Sequence, residues 1–235
     1  MSDGNKTQAR PQARDDSATV SEDGYVVIDV LGNDRGNPKT LWSVNQDDPT
    51  IQDYGQILLP SGAILQTTGI HHRAVYKTNG AFDYLAAGET ATDTFSYSIR
   101  LGDGTVSTAT VDVTIVGVND PAMITPTWAI LYEGDSAEDL STSGTIAIED
   151  VDGPDSFIAS TQHGQYGTFS IDEAGNWTYV SDSAHDEFED GGHYVDVFDY
   201  YSADLTMATI QINLMGTDEP AMLNSAAAAD LAAFA

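Results

Sequence analysis

Cysteine is missing from this chain of 235 residues. That removes disulfides and thiolate chemistry, and takes away the commonest structural ligand for zinc. It leaves an extracellular home open, since many bacterial surface proteins do without cysteine. Lys and Arg are scarce and stop early: all eight (Lys6, Arg10, Arg14, Arg35, Lys39, Arg73, Lys77, Arg100) lie in the first hundred positions. No apolar run approaches the ~18 residues needed to span a bilayer as a helix, so no membrane insertion is expected. The first residues, Met1 to Gln8, have no apolar core like that of a secretory signal, so export would use a different signal. Helical periodicity is absent outside the tail. There, Asn224–Ala235 combines cap residues with alanine and reads as a short helix or disordered tail, or a C-terminal type I export signal.

Acid is plentiful. Thirteen Asp and Glu share the first hundred positions with the basic residues, and 24 follow from Leu101 onward with no Lys or Arg, for a net charge of −29. Such a chain repels nucleic acid and anionic membrane. From Leu101 onward an internal ion pair can only use histidine. Two carboxylates about 4 Å apart repel by ~1 kcal/mol in water and up to ~4 near a protein surface. Clusters of them therefore call for a cation, a raised pKa or distance. Two readings follow: a solvated acidic coat, as in halophilic or marine proteins, or clusters that hold divalent ions.

One stretch is used twice. Ala109 to Met123 returns as Ala208 to Met222, 99 residues on, each an alternating strand, a glycine, two carboxylate or amide residues and a proline. Ala109, Val111, Val113 and Ile115, and again Ala208, Ile210, Ile212 and Leu214, give the period-2 signature of a strand with one buried face. Pro121 and Pro220 end their strands, because proline cannot donate to a sheet ladder. The expected organisation is a disordered lead-in over 1–14, a β-sandwich over 15–121, a second over 122–220 and an Ala-rich tail over 221–235. Tyr25–Leu31 is a strand stopped by Gly32, Asn33 and Asp34; Ala74–Tyr76 and Ala81–Leu85 flank the Asn79-Gly80 turn. Thr92–Ile99, the Gly102-Asp103-Gly104 turn and the strand to Val116 form the best hairpin signal. In the second half Gly144–Ile148, Tyr166–Ile171 and Asn176–Val180 read as strands, with Phe169 and Ile171 facing Trp177 and Tyr179 across a core. Val195–Tyr200 matches Thr92–Tyr97 at an offset of 103, setting Asp196 over Asp93, Phe198 over Phe95 and Tyr200 over Tyr97. Short strands with turns every ~8–12 residues indicate an all-β fold of two tandem Ig-like sandwiches.

These residues bring a family into view. Asp15-Asp16 with Val27–Asp34, then Asn79–Tyr97, Gly102–Gly104 and Gly117–Ala122, resemble a bacterial cadherin-like domain. Ser143–Gly153, Gly164–Tyr179 and Gly216–Pro220 resemble a VCBS repeat. The resemblance covers residues 15–220 and implies tandem antiparallel β-sandwiches of a secreted or surface-attached bacterial protein, of the repeats-in-toxin adhesin kind. It implies calcium binding, a spacer or adhesion role without catalysis, and as partners neighbouring domains or cell-surface and matrix glycans or proteins. The Gly- and Asp-rich nonapeptides of toxin-type repeats are absent.

Calcium takes about six to eight oxygen ligands at roughly 2.3–2.6 Å and tolerates irregular geometry. Asn119 and Asp120 stand in the connector, and Glu149, Asp150, Asp152 and Asp155 in a loop at a strand end. The resemblance implies that an Asp-x-Asp pair, Asp150 and Asp152, shares ions with the Asn119-Asp120 connector. A further cluster, Asp15, Asp16, Glu22, Asp23 and Asp34, opens the first unit. The loop from Asp150 is no EF-hand, since position 161 is Thr and no helices flank it. Asp186, Glu187, Glu189 and Asp190 read as solvated, and the histidines as surface or packed residues. No nucleophile elbow is present. Carbohydrate recognition is the alternative function: Trp42 and Trp128 are candidate platforms, while Trp177 reads as core.

Overall fold

The computed structural model describes residues 12–45, 55–68 and 73–217. The chain divides between Asp120 and Pro121 into two compact units. The tail from Asn224, His71, His72, Asp218 and Glu219 lie outside the described residues.

The first unit contains β1 (Asp16–Ser21), β2 (Tyr25–Ile28), β3 (Lys39–Val44), β4 (Gln56–Leu58), β5 (Ile64–Thr68), β6 (Arg73–Lys77), β7 (Thr90–Leu101) and β8 (Val106–Val116). One sheet runs β1-β8-β7-β3 and the other β2-β6-β5-β4. The β7–β8 hairpin has the register its alternation demands, Phe95 beside Val111 and Tyr97 beside Ala109. Phe95, Tyr97, Ile99, Val111, Val113 and Ile115 all turn inward. The opposite sheet meets them with Leu65, Ala74 and Tyr76, and the Tyr76 and Phe95 rings stack at 6.4 Å.

The second unit contains β9 (Met123–Ile124), β10 (Thr127–Tyr132), β11 (Thr142–Thr145), β12 (Ile148–Glu149), β13 (Ser160–His163), β14 (Gly167–Ile171), β15 (Asn176–Ser181), β16 (His193–Tyr201) and β17 (Met207–Met215). Sheets β10-β17-β16 and β11-β15-β14-β13 enclose an aromatic core, with Phe169 stacked on Phe198 at 5.2 Å. A small β12-β9 pair completes the unit. Both units are all-β sandwiches of Ig-like type, and no helix occurs among the described residues.

Four expectations need correction. Residues 12–14 are no lead-in: Arg35 N–H donates to the Gln12 carbonyl, Ala13 N–H to Ser107 Oγ and Arg14 N–H to Asp34. Ala81–Leu85 is a turn that buries Phe82 and Leu85, not a strand; Leu85 N–H closes it on the Phe82 carbonyl at 2.9 Å. Gly144–Ile148 is split between β11 and β12, which pair with different strands on either side of buried Ile146. Phe169 and Ile171 do not face Tyr179 and Trp177 across the core but lie beside them in one sheet; β16 and β17 supply the opposite layer. The strands β1 and β10 also escape the periodicity. Each runs parallel to the last strand of its unit, β1 beside β8 and β10 beside β17.

Candidate functional site

The equivalence of the two units is chemical as well as topological. Glu22 directly follows β1 and Glu133 directly follows β10, and both are buried. The Glu22 N–H donates to the Val116 carbonyl, and its Oε1 accepts the Val118 N–H at 2.6 Å. The Glu133 N–H donates to the Met215 carbonyl, and its Oε2 accepts the Thr217 N–H at 3.0 Å. Each carboxylate thus clamps the chain as it leaves the last strand. The signal for Glu133 was a glycine close behind the glutamate, shared with Glu22-Asp23-Gly24.

That geometry divides the set expected at the start of the first unit. β1 runs from Asp16 to Ser21 at ~3.3 Å per residue, so Glu22 stands about 20 Å from Asp16, at the opposite end of the sheet. Asp15, Asp16 and Asp34 do come together at the near end. Asp15 Oδ1 accepts the N–H and hydroxyl of Thr110, both at 2.9 Å, and these bonds hold its carboxyl below the usual range. Asp34 Oδ1 accepts the Arg14 N–H at 2.7 Å and lies 2.9 Å from the Tyr97 hydroxyl, which also reaches the Arg14 carbonyl. The second oxygens of Asp16 and Asp34 are buried with no hydrogen-bond donor. Burial raises the Asp16 pKa; the Tyr97 hydroxyl works against that, and the charges of Asp34, Asp29 and Asp15 add to it. Lys39 gives its ammonium to the Leu31 and Asp34 carbonyls.

In the second unit the acidic loop after β12 folds on itself. Asp155 Oδ1 accepts the Asp150 N–H at 2.7 Å, and Asp150 Oδ1 accepts the Asp152 N–H at 3.2 Å. A side chain at Gly153 would put a Cβ 2.6 Å from Asp150 Oδ2, so only glycine allows this closure. Asp150 Oδ2 is buried and has no donor. Desolvation and the neighbouring Asp152 carboxylate raise the Asp150 pKa, against the backbone N–H groups of Asp152 and Gly153, which lower it. Glu149 is exposed on β12 beside Met123. Asn119 and Asp120 follow β8 in the first unit, the former exposed and the latter half-buried, so the connector and the Asp-x-Asp pair belong to different units. Among the described residues, no three His, Asp or Glu side chains gather closely enough to hold a metal ion by themselves.

Two further carboxylates show what a satisfied one looks like. Asp93 Oδ2 accepts the Tyr76 hydroxyl at 2.7 Å and the Ser61 hydroxyl at 2.6 Å. Asp196 accepts the Gln165 N–H at 2.7 Å, the Tyr166 N–H at 3.1 Å and the Tyr179 hydroxyl at 2.8 Å. Burial and the partner carboxylate push both tyrosines well above their ordinary pKa. These are internal struts, set at equivalent positions on β7 and β16. Glu187 is exposed and also pairs with His185 Nδ1 at 2.8 Å, while Asp182 lies 3.0 Å from Nε2. A shallow depression of about 520 Å³ on β13, β14 and β15 is lined half by Ser and Thr and half by other residues, Ile171 and Asp172 among them.

Comparison with known proteins agrees with the first unit's architecture. Residues 8–114 match the family model described as a bacterial Ig domain. This unit is Ig-like. Such domains are usually extracellular structural modules, and no enzyme family is indicated. No curated protein matches the chain. Among solved structures it is similar to Drosophila N-cadherin EC1-4, at 14% identity and a TM-score of 0.45, over 88% of this chain and 49% of that one. Protocadherin Gamma B7 extracellular cadherin domains 1-4 give 14% and 0.41, over 89% and 51%. Human CDH23 EC21-23 gives 16% and 0.45, over 89% and 69%. The chain spans about half the length of the first two. No helix among the described residues is long and apolar enough to cross a membrane.

Proposed function

We propose that the chain is a non-catalytic, calcium-binding pair of modules from a secreted or surface-attached bacterial protein, acting as a spacer or adhesion unit, with a VCBS-type repeat as its second half. The observation that carries this reading is the contrast among buried carboxylates. Asp93 and Asp196 are supplied with donors, whereas one oxygen each of Asp16, Asp34 and Asp150 is shielded from water with none. A buried anionic oxygen without a partner is costly, and it becomes favourable when a cation meets it. From Leu101 onward no Lys or Arg can be that cation.

Calcium suits these donors because it takes hard oxygens in irregular arrays. In the second unit Asp150 and Asp152 would hold it, with loop carbonyls and water filling the remaining positions. In the first, Asp16 and Asp34 would hold it. A bound ion would cancel repulsion between the carboxylates and add its binding energy to the folded state. Calorimetric titration of the whole chain with calcium chloride tests this, alongside melting with and without chelator. The expected result is heat beyond dilution and a higher melting temperature, with Asp150→Asn and Asp16→Asn each removing part of both. No heat and an unchanged melt would leave only a solvated acidic coat.

A further inference from the structure

The sheet β10-β17-β16 has one face in the core and one facing out. The outward face of β10 carries Trp128, Ile130 and Tyr132, which are 66%, 54% and 63% exposed. In the first unit, aligning Glu22 with Glu133 sets β1 on β10, and the same outward positions are Ser17, Thr19 and Ser21. This fold therefore works with hydroxyl side chains there, and packing does not explain three large apolar ones left in water.

Next to Trp128 and Ile130 stand uncharged amides that are held in place, while Met215 lies beside Tyr132 and exposed Val197 beyond Gln211. Gln211 lies beside Trp128 and Asn213 beside Ile130 in the parallel ladder. Asn213 Nδ2 donates to the Ala129 carbonyl at 3.0 Å, and its Oδ1 sits 2.9 Å from both Gln211 Nε2 and His193 Nε2. One Asn213 N–H and the Gln211 carbonyl oxygen have no partner among the described residues. Alternate side chains on a strand repeat at about 6.8 Å, and the neighbouring strand is about 4.8 Å away. A six-membered sugar ring laid on the Trp128 indole therefore has its rim over the Gln211 amide.

Charge selects among occupants. The three rows of this strip, from Trp128 to Tyr132 across β17 and β16, contain no carboxylate and no Lys or Arg. A cationic protein finds no counter-charge in the strip. An anionic polymer or a second copy of this chain meets a unit rich in acid and without Lys or Arg. A neutral saccharide, with an apolar C–H face and a rim of hydroxyls, matches aromatic rings flanked by fixed amides.

We propose that the outward face of β10, β17 and β16 binds an uncharged carbohydrate, stacked on Trp128 and Tyr132 and hydrogen-bonded by Gln211 and Asn213. This goes beyond the calcium reading and uses none of its residues. The test screens the whole chain on an array of neutral oligosaccharides. Positives are then titrated by tryptophan fluorescence with the soluble sugar. At least one neutral glycan should bind. Trp128→Ala and Tyr132→Ala should each lose about ten-fold or more in affinity without a change in melting, and Gln211→Ala several-fold. Trp42→Ala should bind normally, since that ring is occupied by the Arg100 guanidinium 4.3 Å from its centroid. Failure to bind any neutral glycan up to about 1 mM, or binding indifferent to Trp128→Ala, would overturn the proposal. So would sedimentation showing that Trp128 instead drives self-association, or Trp128-dependent binding of a basic aromatic peptide in place of sugars.

Discussion

Asp196 and Asp93 occupy equivalent positions but do different work, and truncating them should show it. Asp196 is 4% exposed and receives two backbone N–H groups, from Gln165 and Tyr166, as well as the Tyr179 hydroxyl. Backbone donors cannot turn to find new acceptors. In Asp196→Ala they stay fixed and lose their acceptor, at up to about 1–3 kcal/mol each, and the tyrosine hydroxyl is stranded beside them. Relief of burying a charge offsets part of this, so a net loss of about 4 kcal/mol is expected. Asp93 receives two hydroxyls, Tyr76 and Ser61, on groups that can rotate toward water or a neighbour. Its truncation should cost about 2 kcal/mol. A second variant reaches the same contact from outside. An added Cβ at Gly164 would overlap the Asp196 carboxylate, so Gly164→Ala should also destabilise the second unit. Urea unfolding, with near-ultraviolet and fluorescence signals to assign each unit, gives the comparison. Equal costs, or a larger one for Asp93→Ala, would refute the claim that fixed backbone donors set the difference.

Three other perturbations have defined outcomes. Asp16→Asn should raise the melting temperature of the first unit in chelator, since it removes a buried charge, and should shrink the calcium-induced rise; melting curves in both conditions check this. Burial pulls the His185 pKa down, but hydrogen bonds to Glu187 and Tyr166 and the charges of Glu187 and Asp182 outweigh it and leave the value raised above 6.5. Its ion pairs therefore stabilise the second unit fully below about pH 6.5, and that contribution fades as pH rises through the folded-state value; His185→Asn, which tolerates the φ of 59° there, should flatten the melting profile over this window. Glu133→Ala should cost about 1–2 kcal/mol by leaving the Thr217 N–H without its acceptor, with Glu133→Gln recovering most of it in chemical denaturation.

Much of the sandwich was legible because period-2 alternation reports a face directly. Phe95, Tyr97 and Ile99, and their counterparts Phe198 and Tyr200, are buried as the spacing requires. The duplicated last strand was equally plain, and its two copies, β8 and β17, hold equivalent places. Strands whose outward and inward residues are not sharply different in polarity were not legible. β1 offers only Ala18 and Val20 to the core, and β10 is apolar on both sides, so neither shows a one-faced rhythm.

Composition by itself determined that the second half must manage its acid without Lys or Arg, and the ion pairs there indeed run through His185. Tertiary structure decided which carboxylates are satisfied and which are not. Asp93, Asp196 and Asp16 look alike in a list of residues, but only folding brings hydroxyls and amides to two of them and withholds a donor from one oxygen of the third. It also separated Glu22 from Asp16, neighbours in sequence, by the length of a strand. Side-chain chemistry is written residue by residue, whereas solvation and partnership depend on what distant segments bring to the same place.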